Sequence, residues 1–396
     1  MSVFWIIAGE SSGDSYGARL AAALMDLAPD CRVRGMGGDA MREAGVDIMV
    51  DSTDLAVVGF IEVLKHLRTF RQIFNDLVRR ARDDRPDAVV LIDYPGFNVR
   101  LATKLHAMGI TVVYYVSPQV WAWGKRRIPK LARCVDKMLV IFPFEPTVFQ
   151  HTDLDVAFVG HPLVDILEEY RDPAVRRDPN TVALLPGSRS GEIDRLLEPL
   201  LRIAAWLAQR HRQLTFVLPV PNRHLQARVS ERIVELRQAC DDIPAVEVMT
   251  GQTRKCLQRA DVGIAASGTV TVEAAIFGLP LVVVYKLHPV TYWLARLLVK
   301  IPHFTMVNLV RHRLVYEEFL QGAVTAERVG RAVEAIMRGG ARRAEVESEM
   351  AAAVRALGGR TNACRQAAEA VLAAAERNDD STGESAERRQ GKTVKA

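Results

Sequence analysis

The sequence predicts an α/β protein built from two doubly wound, parallel-sheet domains, and three observations carry that prediction. Short β-branched or apolar runs alternate with longer amphipathic ones from Val3 to about Gly160. The alternation starts afresh at Thr181, after a charged, proline-containing stretch from Asp165 to Asn180 interrupts it. The chain has 396 residues, more than one core usually fills, so two domains of about 150 to 180 residues are expected.

The totals narrow the class. Hydrophobic residues make up 49% and charged residues 25% of the chain, a balance ordinary for a soluble globular enzyme. No apolar run reaches the ~18 residues needed to span a bilayer. The start, MSVFWIIAGE, has no basic residues, and Gly9 and Glu10 cut its apolar run short, so no secretory signal is expected and a cytoplasmic chain fits. Cys31, Cys134, Cys240, Cys256 and Cys364 are odd in number and form no CxxC pair, which argues against a disulfide frame or a zinc site. A net charge of +5 with a pI near 9.0 fits an anionic partner. Phosphorylated lipid, nucleotide and nucleic acid all meet that description.

Taken in order, Val3 to Ala8 reads as a buried strand, and Gly9-Glu10-Ser11-Ser12-Gly13-Asp14 as the turn into a helix running to about Leu27. The turn satisfies G-x-S-x-G, but a nucleophile elbow normally follows several strands, and Glu10 and Asp14 would oppose an oxyanion. Ser12 and Asp14 are otherwise natural N-caps. Arg32 to Gly38 is a second strand with a glycine turn. From Gly59 to Phe74, Phe60, Val63, Leu64, Leu67 and Phe74 recur at helical spacing beside Lys65, Arg68 and Arg71. That pattern suits either a core-facing helix or a membrane-surface face. Pro86 to Tyr94 is a buried strand that leaves Asp93 at the carboxyl edge, where open α/β sheets bind ligands; Asp93 is there either a helix cap or a catalytic carboxylate. Ile110 to Val116 is the next strand, followed by a loop with Gln119, Trp121 and Trp123, whose rings can fill a core or meet a sugar or acyl chain. Gly124 to Lys130 concentrates positive charge, a solvated face or a clamp for phosphate or anionic lipid. Asp153-Leu-Asp155 has the form of a metal-holding DxD but precedes a strand, so it reads as surface acid.

In the second half, Thr181 to Leu185 is a strand, Pro186-Gly187-Ser188-Arg189 a loop, and Glu192 to about Gln209 a helix. A guanidinium at that loop suits a diphosphate. Leu214 to Leu218, Val246 to Met249 and Val262 to Ala265 continue the sheet. Ser267-Gly268-Thr269 then opens a helix with bare N–H groups, a start that attracts phosphate, and Glu273 lies one turn on, placed to hold ribose hydroxyls. Gly278-Leu279-Pro280 stops the helix before the strand LVVVY. Thr291 to Lys300 reads as an apolar and basic helix, with Asn308 in the loop beyond it, and an Ala-rich helical segment runs to Ala375. The last residues have no apolar pattern and are expected to be disordered.

The ordered motifs AGESSGD (8 to 14), the stretch around Val58 to Leu64, IDYPGFN (92 to 98), YVSPQVWAW (115 to 123), FPFE (142 to 145), VGHPL (159 to 163), LLPGSR (184 to 189), ASGTVTVEAA (266 to 275) and NL (308 to 309) span most of the chain. Together they closely resemble the lipid-A-disaccharide synthase family. The resemblance implies the GT-B architecture, two Rossmann-like domains facing across a cleft, here expected as 1–165 on the acceptor side and 166–340 on the UDP-sugar side. Helices over 341–376 would pack back toward the first domain, and 377–396 would be a tail. It implies an inverting, metal-independent transfer, with no cofactor, of 2,3-diacylglucosamine from UDP-2,3-diacylglucosamine to lipid X, forming a β-1,6-linked disaccharide phosphate and UDP. A peripheral enzyme at the inner face of a Gram-negative inner membrane is implied, with no nucleic-acid partner; a homodimer is one option for its assembly.

Carried over by motif, Asp93 matches the general base. Glu10, Ser12, Asp14, Gln119 and Trp121 fall on the acceptor side, and Arg189, Ser267, Gly268, Thr269, Glu273 and Asn308 on the UDP-sugar side. Phe60, Val63, Leu64 and Leu67 would face the membrane. Some family members carry Asp where this chain has Gly96, which weakens any mechanism needing a second carboxylate there. Another GT-B enzyme, such as a UDP-GlcNAc epimerase or a lipid II-forming transferase, or a non-catalytic binder of nucleotide or anionic lipid, would share parts of this pattern.

Overall fold

The computed structural model describes residues 1–52, 63–122, 124–288, 292, 301–359 and 362–377. Two compact units emerge, one of residues 1–162 with the chain from 360 on, the other of residues 163–359.

In the first unit, the described strands form one sheet: β1 (Val3–Ala8), β2 (Arg32–Gly37), β3 (Asp47–Asp51), β4 (Ala88–Ile92), β5 (Thr111–Tyr115), β6 (Lys137–Val140) and β7 (Asp155–Phe158). Their order is β3-β2-β1-β4-β5-β6-β7, and every pairing is parallel. The connecting helices are α1 (Ser11–Leu27), α2 (Asp39–Glu43), α3 (Val63–Asp84), α4 (Pro95–His106), α5 (Ile128–Cys134) and α6 (Glu145–Phe149). Helices cover both faces of such a sheet, which is why β4 (AVVLI) and β5 (TVVYY) are buried at every residue instead of alternating. Strand order reverses between β1 and β4, where Ala8 stands opposite Ile92. That reversal opens a crevice at the carboxyl ends of the two strands.

The second unit repeats the plan with α7 (Pro162–Glu169), β8 (Asp178–Leu185), α8 (Ser190–Arg210), β9 (Thr215–Val220), α9 (Arg223–Ala239), β10 (Val246–Thr250), α10 (Thr253–Arg259), β11 (Ala260–Ala266), α11 (Val270–Phe277), β12 (Leu281–Tyr285), α12 (Met306–Arg311), β13 (Glu317–Leu320), α13 (Ala326–Ile336) and α14 (Arg343–Ala356). Its all-parallel sheet runs β10-β9-β8-β11-β12-β13. Here the reversal lies between β8 and β11, with Leu185 opposite Ala265. A last helix, α15, spans residues 363–377 in the first unit.

Several expectations change. Strands β3 and β13 go beyond the sequence reading: both are sheet-edge strands, and the sequences DIMVD and EEFL lack the apolar run of a central strand. The amphipathic helix expected to end at Phe74 continues to Asp84, and Phe70, Ile73 and Phe74 pack against the core, with Phe74 edge-on to Phe97 at 5.7 Å. Phe60 lies outside the described residues, as do the side chains of Val63, Leu64 and Leu67, so the membrane-facing assignment falls where nothing is described. The helix expected over Thr291 to Lys300 also lies outside them, apart from Tyr292. Asn308 is not in a loop but inside α12, fully buried. Residues 341–359, expected to pack with the first domain, group with the second unit, where α14 packs on α11 and α12.

Candidate functional site

The carboxyl end of β4 makes the first site. The chain leaves Ile92 through two consecutive left-handed residues, Asp93 at φ 46° and Tyr94 at φ 45°. That conformation costs an L-residue roughly 1–2 kcal/mol, so it persists only where neighbours impose it. Here three groups grip the Asp93 backbone. Its N–H donates to the Tyr115 carbonyl at 3.1 Å. Its carbonyl accepts the Tyr114 hydroxyl at 2.6 Å and the Asn98 side-chain amide at 3.0 Å. Asn98 is completely buried and also donates to the Ile92 carbonyl at 3.1 Å.

Across the switch point, the loop after β1 comes close. A Cβ on Gly9 would stand 2.6 Å from the Tyr94 ring, so only glycine fits there. Glu10 follows, exposed to solvent. Burial, and then the negative charge of Glu10, push the Asp93 carboxyl up to about 6, against a smaller opposing effect from the Tyr94 N–H. A carboxylate poised near neutral pH is suited to general-base work. Helix α4 takes Tyr94 as its N-cap with no side-chain cap bond, so Asp93 does not cap it.

The other residues expected on the acceptor side divide. Ser12 is exposed, and α1 begins without a side-chain cap. Asp14 is buried and accepts the N–H groups of Gly38 at 2.6 Å, Ala40 at 3.0 Å and Met41 at 3.2 Å. It therefore caps α2, not its own helix, and its lone pairs are largely spent on holding the loop after β2 beside the loop after β1. Gln119 is exposed, while Trp121 packs edge-on against Phe144 at 5.2 Å with its indole N–H buried. Trp123 lies outside the described residues.

Behind Trp121, Phe144 stacks on Phe142 at 5.7 Å, and Phe142 meets the ring of His161 at 5.4 Å. Glu145, 1% exposed, accepts the N–H groups of Ile141 at 3.2 Å and Phe142 at 3.0 Å; burial still pushes its carboxyl up to about 7. Burial alone pushes His161 down to about 3, so its ring is neutral. FPFE and VGHPL are visible as motifs, but without the fold nothing joins Glu145 and His161 into one cluster.

The second switch point holds a pocket of about 800 Å³, a volume typical of a small-molecule or cofactor site. Gly187, Ser188, Arg189 and Glu192 line it from the loop after β8, and Ser267, Gly268, Thr269 and Glu273 from the loop and helix after β11. Gly187 sits at φ 108° against the Glu192 side chain, a turn that a side chain at this position would block. The Arg189 side chain is 82% exposed and only 3.5 Å from Glu192, a weak surface pair that leaves the guanidinium available to a ligand. Thr269 is the N-cap of α11 with no side-chain cap, and the helix brings its positive dipole end to the pocket, although the N–H groups of Thr271 and Val272 already donate to the Gly268 and Thr269 carbonyls. One turn on, burial pushes the Glu273 carboxyl up, while Arg254 pulls it the other way.

The sequence reading missed the third wall: Gln252, Thr253, Arg254 and Lys255 at the start of α10, and Tyr170, whose ring lies 3.7 Å under the Arg254 guanidinium. The cations of GQTRK are legible, but their role depends on knowing that β10 ends just before them. Asn308, by contrast, does not line the pocket. Its amide N–H donates to the Tyr316 carbonyl at 2.8 Å and to Glu318 at 2.9 Å, and its oxygen accepts the N–H groups of Val315 at 2.9 Å and Tyr316 at 2.8 Å. A helix N-terminus flanked by Arg189, Arg254 and Lys255 can hold a diphosphate, and Glu273 can accept sugar hydroxyls. Among the described residues no cluster of three or more His, Cys, Asp or Glu could hold a metal ion.

Comparisons with known proteins bear on the family and the fold. A lipid-A-disaccharide synthase of Koribacter versatilis is 41% identical over 385 residues, covering 94% of this chain and 99% of that one. One from Syntrophus aciditrophicus is 39% identical over 352 residues, covering 87% and 91%. Among solved structures, the UDP-GlcNAc 2-epimerase of Neisseria meningitidis bound to UDP-GlcNAc superposes with a TM-score of 0.63 at 13% identity, over 94% of this chain and 100% of that one. The glycotransferase of kitacinnamycin gives 0.63 at 15% identity, over 94% and 99%. At such identities the likeness is one of fold, and the fold is GT-B. The family profile described as lipid-A-disaccharide synthetase matches residues 4–374, and the chain belongs to that family.

Proposed function

We propose that the two switch points divide one glycosyl transfer between them. The chain is a glycosyltransferase of lipid A disaccharide formation, moving 2,3-diacylglucosamine from UDP-2,3-diacylglucosamine to lipid X and releasing UDP. In the proposed division, the pocket beside β8 and β11 holds the UDP-sugar. Arg189 and the first N–H groups of α11 meet the diphosphate, and Glu273 meets hydroxyls. Asp93 serves the acceptor. As the acceptor 6-hydroxyl oxygen attacks the anomeric carbon from the face opposite UDP, Asp93 takes its proton. The bond to the diphosphate breaks, its electron pair leaves on UDP, and the growing charge is stabilised by the cations and N–H groups already facing it. Inversion follows from that single displacement.

The observation that carries this reading is Asp93: a carboxyl at the sheet's switch point, held in a strained backbone by buried partners and raised to about 6. Backbone strain without a local structural task points to a site. UDP release measured with and without lipid X tests it. Release that depends on lipid X supports transfer; equal release without it would mean hydrolysis.

For location, we propose peripheral binding to an anionic membrane surface. Among the described residues no helix is long and apolar enough to cross a membrane, whereas Lys125, Arg126 and Arg127 form an exposed basic turn. Phe60→Ser with Leu64→Ser is expected to weaken sedimentation with phosphatidylglycerol vesicles. Unchanged partitioning would assign that segment to the core.

A further inference from the structure

We infer that Glu318 is a positioning residue for the UDP-sugar pocket, acting through the segment Phe304–Asn308 on Ser267; the inference rests on the pocket assignment above. Glu318 sits on the edge strand β13, opposite Val283 of β12, and does not line the pocket. Its side chain is only 7% exposed, and it gathers one short segment. It accepts the N–H of Phe304 at 3.2 Å, the N–H and hydroxyl of Thr305 both at 2.8 Å, and the side-chain amide of Asn308 at 2.9 Å. The imidazole of His303 stands 3.8 Å away. A carboxylate this well supplied with donors fixes the backbone that supplies them.

What that backbone does next links it to the pocket. The Phe304 carbonyl accepts the Ser267 hydroxyl at 3.0 Å, and Ser267 begins the loop that leads into α11. Three features show that the segment is held from the Glu318 side. Thr305 is the N-cap of α12 yet gives its hydroxyl to Glu318 and makes no cap bond. Asn308 has both ends of its amide engaged with β13 and its lead-in. Thr305 and Asn308 are both fully buried, so no solvent replaces these bonds. Ser267 is thus oriented by a carboxylate two hydrogen bonds away, and the N–H groups of Gly268 and Thr269 follow its placement. Asn308, carried into the UDP-sugar set by motif alone, takes a place in the same support.

The test is calorimetric titration of UDP into the full-length enzyme and its Ser267→Ala, Glu318→Gln and double variants, each with a thermal melt. Loss of one buried hydrogen bond is worth up to about tenfold in affinity. Each single variant is expected to weaken UDP binding by about that factor, and the double variant hardly more than either, because both cut one chain. The donor KM should rise similarly in Glu318→Gln, with kcat at saturating donor within about twofold. Wild-type UDP affinity in a folded Glu318→Gln, or effects that multiply in the double variant, would overturn the inference. Should Glu318→Gln fail to fold, Thr305→Val removes a single hydroxyl from the same link and is expected to weaken UDP binding; unchanged affinity there would overturn it equally. Arg189→Ala in the same titration separates the two layers: unchanged affinity in that variant brings down the pocket assignment and the inference with it, whereas a loss there beside an unaffected Glu318→Gln brings down the inference alone.

Discussion

The two switch points share a topology and differ in almost everything else. Each lies where a parallel sheet reverses its strand order, Ala8 against Ile92 in one unit and Leu185 against Ala265 in the other. The first is acidic and strained: Asp93 and Tyr94 are both left-handed, and Asp93 is held out of its usual carboxylate range by burial and by Glu10. The second is open and mixed in charge, its forced turn given to Gly187, with Arg189, Arg254 and Lys255 lining a roomy pocket beside Asp172, Glu192 and Glu273. Similar folds therefore present different side chains at equivalent places. What decides between a proton acceptor and an anion cradle is which residues stand at the strand ends, and how far neighbours restrain them.

The largest expected effect breaks the comparison at its acidic side. Asp93→Asn keeps the size and loses the base, and turnover is expected to fall at least ~100-fold with UDP affinity little changed. Steady-state rates and UDP calorimetry on one preparation check both halves. On the other side, Arg189→Ala should weaken UDP binding about tenfold, the scale of a charge-assisted bond. Little change is expected in the pH profile, since burial and Glu10, not Arg189, set the Asp93 shift.

Smaller effects sharpen the picture. Tyr114→Phe removes one of the bonds restraining the Asp93 carbonyl, and kcat should drop roughly fivefold while donor KM stays put, the cost of a buried bond of about 1 kcal/mol. The subtlest is Glu10→Gln. Asp93 must be ionised to act, so activity is lost as pH falls through about 6. Removing the like charge of Glu10 moves that acid limb downward, though not to the ordinary carboxylate range, because burial is the larger cause. A limb that stays or moves upward in the kcat/KM profile would show that Glu10 does not face Asp93 electrostatically.

Much of this is legible in the chain. The central strands are continuous apolar runs, and glycine-containing turns after β1, β8 and β11 announce the loops at the strand ends. Asp93 is legible as a candidate site residue because it follows the run AVVLI directly. Its restraint is not, because Tyr114 and Asn98 reach it through contacts that only the folded sheet and its helix create. At Asp14 and Asn308 the motif does not reveal what the fold does with the side chain: each is buried and hydrogen-bonded within the protein, which only the folded structure shows. Edge strands such as β13 hide for the opposite reason, since EEFL carries no apolar run, and Glu318 hides with it.

The most direct measurement is UDP release by wild type and Asp93→Asn, with and without lipid X, alongside the UDP affinity of each. If the first switch point carries the chemistry and the second the nucleotide, wild type releases UDP only with lipid X. Asp93→Asn then releases at most about one-hundredth as much while binding UDP as tightly. Near-wild-type release by Asp93→Asn, or loss of UDP affinity in step with turnover, would contradict that division.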